Sequence, residues 1–340
     1  IDPKAEIKAW GGDGMQEAGA EILIHHKELA IMGLLGVLQN IQRLKGLFTK
    51  FGSQIEAFQP DTIIFIDYGG FNLKAARIAK LKGFHTQFYI APKVWAWNKG
   101  RIEDIKKWVD ELYVIFPFEL NLFKEKGIRT HYVGNPLQDA VSEFSPAPNF
   151  VSDEKIKQPY IALLAGSRKQ EIERLLPVML SVMNKFVGYQ FVIAAAPTFN
   201  AEYYQQFMGE NKALLVFNQT YDLLHYAHAA IVASGTATLE TALFNVPQVV
   251  VYKGGAVSIA IARLLVKIRF ISLVNLIVDR RIVAELIQED CSEEKVTIEL
   301  GAIVAGNGRE KMLIDYGDLH RLMGEAGASE KTAKLIVGYT

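Results

Sequence analysis

The chain has 340 residues, of which 50% are hydrophobic and 22% are charged, and this composition is typical of a folded protein with room for two domains. Its 37 basic and 37 acidic residues give a formal net charge of zero, which argues against a nucleic-acid-binding protein. No apolar run reaches the roughly 18 residues that a transmembrane helix needs, no signal peptide is found, and the single cysteine, Cys291, indicates a reducing compartment.

In the first half, short apolar runs alternate with helix-like segments. A buried-strand pattern over 61–67 ends on Asp67, and the helical pattern that follows ends at Gly83. Strands separated by helices predict a parallel sheet with helices on both faces. The predicted strands are 61–67, 86–90, 111–116 and 130–133, and the predicted helices are 71–82, 101–108 and 120–126.

A proline-rich, aperiodic stretch over 145–159 interrupts this alternation, which then resumes. We therefore predict an α/β protein of two doubly wound, Rossmann-like domains with a substrate cleft between them. The predicted units are an N-terminal domain over 1–146, a linker over 147–159 and a C-terminal domain over 160–340. In the second half the predicted strands are 160–164, 190–194, 214–217, 230–233 and 248–252, and the predicted helices are 169–185 and 237–244.

One small-residue turn, Ser234-Gly235-Thr236, lies between a predicted strand and a helix. The free N–H groups and the dipole of a first helical turn attract phosphate, and Ser234, Thr236 and Thr238 can add hydroxyl donors. Glu240, about one turn further on, could accept hydrogen bonds from a ribose diol. The pattern is also typical of an ordinary strand-to-helix turn with a Ser/Thr cap.

A second turn, Gly166-Ser167-Arg168, follows the first strand of the second half. Arg168 offers a permanent charge and a fork of donors suited to a diphosphate, although it could instead pair with Glu171 or Glu173 on the surface. Neither turn contains the lysine of a Walker P-loop or the G-x-G-x-x-G pattern, which disfavours phosphoryl transfer and hydride transfer.

Asp67, at the end of a predicted strand and before a glycine turn, is placed where a general base would be. The alternative is that Asp67 or Asn72 caps the next helix. The sequence alone does not decide between a catalytic and a capping carboxylate.

Trp95 and Trp97 could form a stacking surface or a rim for a sugar or lipid, or could pack in the core. Segment 257–283 places Arg263, Lys267 and Arg269 among aliphatic residues, a pattern that suits contact with an anionic membrane surface and equally an amphipathic helix packed on its own domain. No Cys/His/Asp cluster has metal-ligand spacing, so no metal and no cofactor are predicted.

Eight stretches of the sequence resemble motifs of the lipid-A-disaccharide synthase family and follow one another in the family's order. Members of this family are glycosyltransferases of the GT-B architecture. Together they run from near residue 10 to about residue 290. They are 10–13, 65–72, 91–97, 117–119, 133–136, 164–168, 234–240 and 272–277.

The resemblance implies an inverting, metal-independent transfer of a 2,3-diacylglucosamine unit from its UDP derivative to 2,3-diacylglucosamine 1-phosphate, giving the β-1′,6-linked precursor of lipid A. It implies that 1–146 is the acceptor-side domain and that 160–340 binds the UDP-sugar. It implies that Arg168, the Ser234–Thr236 turn and Glu240 bind UDP. It also implies that Asp67 activates the acceptor 6-hydroxyl and that Asn275 lies near the diphosphate or the reacting sugar. The enzyme would work as a peripheral protein on the cytoplasmic face of the inner membrane. The sequence is compatible with a homodimer but does not decide the oligomeric state.

Some features depart from the family pattern. The family begins with a strand and a Gly-Glu-Ala-Ser-Gly-Asp loop, whereas this sequence is expected to start at about the second strand. Gly70 stands where some members have Asp, and Ala165 stands where many have Pro. Two alternatives remain, namely another GT-B enzyme such as a UDP-sugar 2-epimerase, and a non-catalytic UDP-sugar or lipid-binding fragment.

Overall fold

The computed structural model describes residues 2–29, 41–94, 100–157, 159–209, 212–255 and 269–339. Its strands are β1 (Lys8–Gly11), β2 (Glu21–His25), β3 (Thr62–Ile66), β4 (His85–Tyr89), β5 (Glu111–Val114), β6 (Thr130–Tyr132), β7 (Tyr160–Leu164), β8 (Gln190–Ala195), β9 (Leu214–Phe217), β10 (Ala229–Ala233), β11 (Gln248–Tyr252) and β12 (Ala284–Ile287).

The helices of the first half are α1 (Asp13–Glu17), α2 (His26–Leu29), α3 (Ile41–Phe58), α4 (Gly69–Leu81), α5 (Gly100–Trp108), α6 (Pro117–Lys124), α7 (Pro136–Glu143) and α8 (Phe150–Asp153). Those of the second half are α9 (Lys169–Ser181), α10 (Ala201–Met208), α11 (Thr220–Tyr226), α12 (Thr236–Leu243), α13 (Leu273–Val278), α14 (Glu293–Val304), α15 (Asn307–Met323) and α16 (Ala328–Gly338). Short 3₁₀ turns cover Met183–Lys185 and Gln288–Asp290.

The strands of the described residues form three parallel sheets. The first half has a two-stranded sheet, β1-β2, and a four-stranded sheet in the order β3-β4-β5-β6. The second half has a six-stranded sheet in the order β12-β11-β10-β7-β8-β9. Parallel sheets covered by helices confirm the predicted α/β class.

The strand predictions agree most closely with the structure in the second half of the chain. Strands 160–164, 214–217 and 248–252 have the predicted bounds, and every residue of β7 is buried. The predicted helix over 169–185 is wrong at its end, because α9 stops at Ser181 and a 3₁₀ turn follows. Helix α6 begins at Pro117 instead of 120, since a proline is favoured in a first helical turn.

The linker packs against the second half. Phe150, only 2% exposed, and Ile156 contribute to a core cluster together with β7 residues. The backbone N–H of Ala147 donates to Asp222 Oδ1 at 2.7 Å, and the Tyr226 hydroxyl donates to the Ala147 carbonyl at 3.1 Å. The boundaries of the two domains stay a prediction.

The C-terminal helix α16 lies against elements of the first half. Asp139 of α7 accepts hydrogen bonds from three backbone N–H groups at the start of α16, those of Gly327, Ala328 and Ser329, at 2.6, 3.0 and 2.8 Å. Near the other end of α16, the carbonyl of Ile336 accepts a hydrogen bond from Gln87 of β4 at 3.1 Å. The last helix of the sequence therefore joins the two halves.

Candidate functional site

The order of the six-stranded sheet reverses between β7 and β10. Strands β8 and β9 extend from β7 on one side, and β11 and β12 extend from β10 on the other. Val232 of β10 pairs with Leu164 of β7, so these two strands end side by side. In open α/β sheets ligands bind at the carboxyl ends of the strands at such a reversal. Both turns singled out in the sequence start there.

The turn after β7 is shaped by Gly166. Its φ is +97°, a conformation that favours glycine, and a Cβ at this position would lie 2.9 Å from the Cβ of Glu171. Arg168, whose side chain is 73% exposed, donates to Glu171 Oε1 at 2.8 Å. The surface pairing considered for Arg168 is therefore present, and it leaves most of the guanidinium in solvent beside the turn.

The turn after β10 is Ser234-Gly235-Thr236, with Gly235 at the N-cap of α12 and Thr236 exposed at its first position. The Ser234 hydroxyl donates to the Ile271 carbonyl at 3.1 Å. Thr238 is fully buried, and its hydroxyl donates to the Gly235 carbonyl at 2.8 Å. Because that proton is used to close the turn, we leave Thr238 out of the proposed UDP contacts, whereas the first N–H groups of α12 remain suited to phosphate.

Glu240 lies one turn into α12 and is half-buried. Burial raises the pKa of its carboxyl group, and the hydrogen bond from the Tyr221 hydroxyl to Oε1, at 3.0 Å, partly opposes this shift. Tyr221 itself packs edge-on against Phe244 and Phe144. One carboxylate oxygen of Glu240 thus has a fixed partner, and the other has none among the described residues.

Asn275, which the resemblance places near the diphosphate or the reacting sugar, lies at the third position of α13. Asn275 is fully buried. Its amide NH₂ donates to the Val283 carbonyl at 3.0 Å and to Glu285 Oε1 at 2.8 Å, and its Oδ1 accepts from the N–H groups of Ile282 and Val283 at 2.8 and 3.0 Å. The hydrogen-bonding groups of the Asn275 side chain are thus occupied inside the protein, where they hold the backbone before β12 in place.

Glu285 of β12 is the centre of the same network, and the sequence reading missed it. Its carboxylate accepts hydrogen bonds from the backbone N–H groups of Ile271 and Ser272, at 2.9 and 3.0 Å, and from the Ser272 hydroxyl at 2.7 Å. Since the Ile271 carbonyl accepts the Ser234 hydroxyl, Glu285 is linked to the Ser234–Thr236 turn through one residue. A lone carboxylate within the apolar strand 284–287 was the signal that could have found it.

Asp67 follows β3 and is exposed. Asp67 and Tyr68 have φ values of +47° and +43°, a strained conformation for two consecutive residues other than glycine. Neither Asp67 nor Asn72 caps the following helix, because the N-cap of α4 is Tyr68, which makes no side-chain cap bond. The Asn72 amide instead donates to the carbonyls of Ile66 and Asp67, at 3.0 and 2.8 Å. Within the described part of the chain the Asp67 carboxylate has no hydrogen-bond partner, so it is free to accept a proton.

Several predicted residues lie outside the described residues: Trp95, Trp97, Arg263 and Lys267. Arg269 is among the described residues and is exposed. Its guanidinium carbon lies 5.0 Å from the centre of the Phe270 ring, and its Nη1 lies 3.7 Å from Asp279 Oδ1. No group of three possible metal ligands occurs among the described residues. Across the same residues, no helix is long and apolar enough to cross a bilayer.

The chain is similar in sequence to known proteins over most of its length. The family model described as lipid-A-disaccharide synthetase matches residues 2–336. A lipid-A-disaccharide synthase of Coxiella burnetii (strain CbuG_Q212) is 32% identical, over 99% of this chain and 91% of that protein. One of Myxococcus xanthus (strain DK1622) is 34% identical, over 98% of this chain and 90% of that protein.

Solved structures with low sequence identity share the fold. The UDP-GlcNAc 2-epimerase from Neisseria meningitidis, bound to UDP-GlcNAc, superposes with a TM-score of 0.65 at 13% identity, covering 91% of this chain and 83% of that one. The calicheamicin glycosyltransferase CalG4 gives a TM-score of 0.60 at 13% identity, covering 95% and 87%. These neighbours confirm the predicted GT-B-like α/β architecture.

Proposed function

The chain belongs to the lipid-A-disaccharide synthase family, and from this premise we propose that it joins UDP-2,3-diacylglucosamine to 2,3-diacylglucosamine 1-phosphate and releases UDP. It is a glycosyltransferase of lipid A biosynthesis. The observation that carries the proposal is the pair of turns, Gly166–Arg168 and Ser234–Thr236, side by side where the sheet order reverses. One sugar nucleotide can reach both.

The donor diphosphate would lie across the two turns. The first N–H groups of α12 and the exposed guanidinium of Arg168 supply positive potential where the leaving phosphate gains charge. Glu240, with one carboxylate oxygen unpartnered among the described residues, would accept hydrogen bonds from the ribose hydroxyls. The site needs no metal in this scheme, because the helix terminus and Arg168 stabilise the departing UDP.

The acceptor would be activated by Asp67. Its carboxylate takes the proton from the acceptor 6-hydroxyl as that oxygen attacks C1 of the donor sugar from the side opposite UDP. The bond from C1 to the UDP oxygen breaks with its electron pair, so UDP leaves and the configuration at C1 inverts. The exposed position and strained backbone of Asp67 support this role.

The test is UDP release measured with the acylated UDP-sugar alone, with the acylated sugar 1-phosphate, and with both. We expect UDP and a disaccharide only when both are present. A UDP-sugar 2-epimerase would instead change the donor sugar without an acceptor, and a binding protein would release no UDP. Either of these two results would refute the proposed transfer.

We also propose that the protein works at an anionic membrane surface, since both proposed substrates carry acyl chains. Replacing Arg263, Lys267 and Arg269 with Glu is expected to release the protein from anionic vesicles, most clearly at low salt, and to leave UDP binding intact. A matched control replaces three exposed lysines elsewhere. Equal sedimentation of parent and variant with vesicles would show that this segment packs on the protein instead. The control lysines are Lys50, Lys185 and Lys334.

A further inference from the structure

A cavity lies on the same edge of the six-stranded sheet as the two turns proposed to bind the donor. The strands that border it are at most two strands away from β10, which carries the Ser234–Thr236 turn. The cavity has a volume of about 300 Å³. It follows the carboxyl ends of β11 and β12 and is covered on one side by α9. Its lining residues are Arg174, Lys253, Gly254, Gln288 and Glu289.

The cavity is rich in hydrogen-bond donors. Arg174 and Lys253 have no carboxylate partner among the described residues, although most other arginines and several lysines there form ion pairs. Gln288 Oε1 accepts the N–H of Gly254 at 2.8 Å, which leaves the amide NH₂ of Gln288 for another acceptor. Glu289 is the one acidic lining residue, so two positive charges face one negative charge.

The backbone around the cavity is arranged to bring these donors together. Gln288 has a φ of +57°, unfavourable for a residue with a side chain, and its bond to Gly254 ties the end of β11 to the end of β12. A Cβ added to Gly255 would lie 3.4 Å from Arg174 Nη2, so the guanidinium rests against bare backbone at that point.

The cavity lies close to the proposed site of sugar transfer. Strand β11 is hydrogen-bonded to β10, which carries the Ser234 turn, and β12 is the next strand. Neighbouring strands are about 4.8 Å apart, so the cavity lies on the order of 5–10 Å from the donor turn along the sheet edge. That distance is about the length of one hexose ring with a substituent.

We propose that this cavity binds the phosphate group of the sugar 1-phosphate acceptor, held by Arg174, Lys253 and the Gln288 amide. The inference rests on the proposed function, because that function supplies an acceptor with a phosphate. An arginine fork and an ammonium group are the side chains that bind phosphate most strongly, and a neutral sugar would gain nothing from them. The cavity would thus select phosphorylated acceptors.

The experiment measures binding of glucosamine 1-phosphate and of glucosamine by calorimetry, with UDP saturating so that the donor turns are occupied. The variants are Arg174→Met with Lys253→Met, and Arg174→Met alone. The control pair, Lys50→Met with Arg321→Met, changes the net charge equally at exposed positions away from the cavity. UDP affinity and melting temperature are recorded for each protein.

We expect the parent and the control pair to bind the phosphorylated sugar more tightly than glucosamine. The Arg174/Lys253 pair should bind it at least tenfold more weakly and lose the preference, the single variant should be intermediate, and UDP affinity should stay the same. Parent-like binding by the pair, or a parent that does not prefer the phosphorylated sugar, would overturn the proposal. Since binding needs no turnover, a chain that binds the sugar phosphate but never releases UDP would refute the proposed transfer and leave the cavity assignment standing.

Discussion

The Asn275 amide donates to the Glu285 carboxylate at 2.8 Å, and this bond belongs to a network that ends at the Ser234–Thr236 turn. From Glu285 the network continues to the N–H of Ile271, whose carbonyl accepts the Ser234 hydroxyl. The residues that shape the turn thus come from β12 and from the segment that leads into α13, between 37 (Ile271) and 51 (Glu285) residues after Ser234.

The first prediction follows from the burial of Asn275. Asn275→Ala removes one of the hydrogen bonds to the Glu285 carboxylate and deprives the backbone groups of Ile282 and Val283 of their side-chain partner, so we expect unfolding free energy to fall by about 2–4 kcal/mol. UDP affinity should weaken together with stability, as denaturant titration and calorimetry would show. The exposed Asn307→Ala is the control. A variant of parental stability that binds UDP but has lost turnover would instead support a catalytic role for Asn275.

The alternation of strands and helices allowed much of this architecture to be predicted. Strand β7, apolar at every position and buried throughout, has the bounds the pattern indicated. The small-residue turn at Ser234 and the one at Gly166 could be placed at strand ends, and the fold brings them together because β7 and β10 are neighbours.

What the sequence could not show depends on contacts between distant segments. Asn275 looks like a polar residue available to a ligand, and only the packing of β12 against α13 reveals that its amide is used internally. Arg174 and Lys253 are 79 residues apart in sequence, and the sheet order alone brings them to one cavity. The C-terminal helix α16, which returns to the first half, has no local signal for that destination.

The second prediction concerns Arg168. Arg168→Ala removes a charged contact to phosphate, so we expect UDP affinity to fall by roughly 10–100-fold with little change in stability, because the side chain is largely exposed. Arg168→Lys should recover part of this affinity, since it keeps the charge but loses the fork. Calorimetric titration with UDP measures both. Unchanged affinity in the Ala variant would mean that the diphosphate lies elsewhere.

The third prediction concerns Glu240, whose pKa is raised mainly by burial. A carboxyl group with a raised folded-state pKa favours folding at low pH, and that contribution is lost as pH rises through the folded-state value. At pH 7 Glu240→Gln should therefore raise the melting temperature, by on the order of 1–2 °C, while weakening UDP binding through the ribose. UDP affinity of the parent should fall as Glu240 is protonated in acid. A variant that is neither more stable nor weaker in UDP binding would contradict this assignment.

The fourth prediction concerns Asp139, which is 9% exposed and holds the start of α16. Burial acts to raise the pKa of Asp139, but the hydrogen bonds from Ser329, Gly327 and Ala328 outweigh it and hold the pKa below the usual value. Its contribution to stability is present above the unfolded-state pKa of about 3.9 and is lost as pH falls through the lower folded-state value.

Asp139→Ala should therefore lower unfolding free energy by about 1–3 kcal/mol at pH 7, and the difference from the parent should shrink below about pH 4. Denaturant titrations across this range measure it, with the exposed Asp153→Ala as control. Hydrogen exchange at the first N–H groups of α16 should quicken in the variant. A stability difference that persists unchanged in strong acid would show that packing, and not the carboxylate, holds this helix.

The last prediction concerns Asp67, the proposed base. Asp67→Asn keeps the size of the side chain, and Asn tolerates the left-handed backbone found here, so the fold should be retained. Turnover should fall by roughly 10²–10⁴-fold because the amide cannot take the 6-hydroxyl proton, whereas UDP affinity should not change. Asp61→Asn, exposed at the opposite end of the same strand, is the matched control and should keep parental turnover. If the Asp67 variant turns over at near the parental rate, the free carboxylate after β3 serves the backbone conformation alone, and the base must be sought on another loop of the cleft.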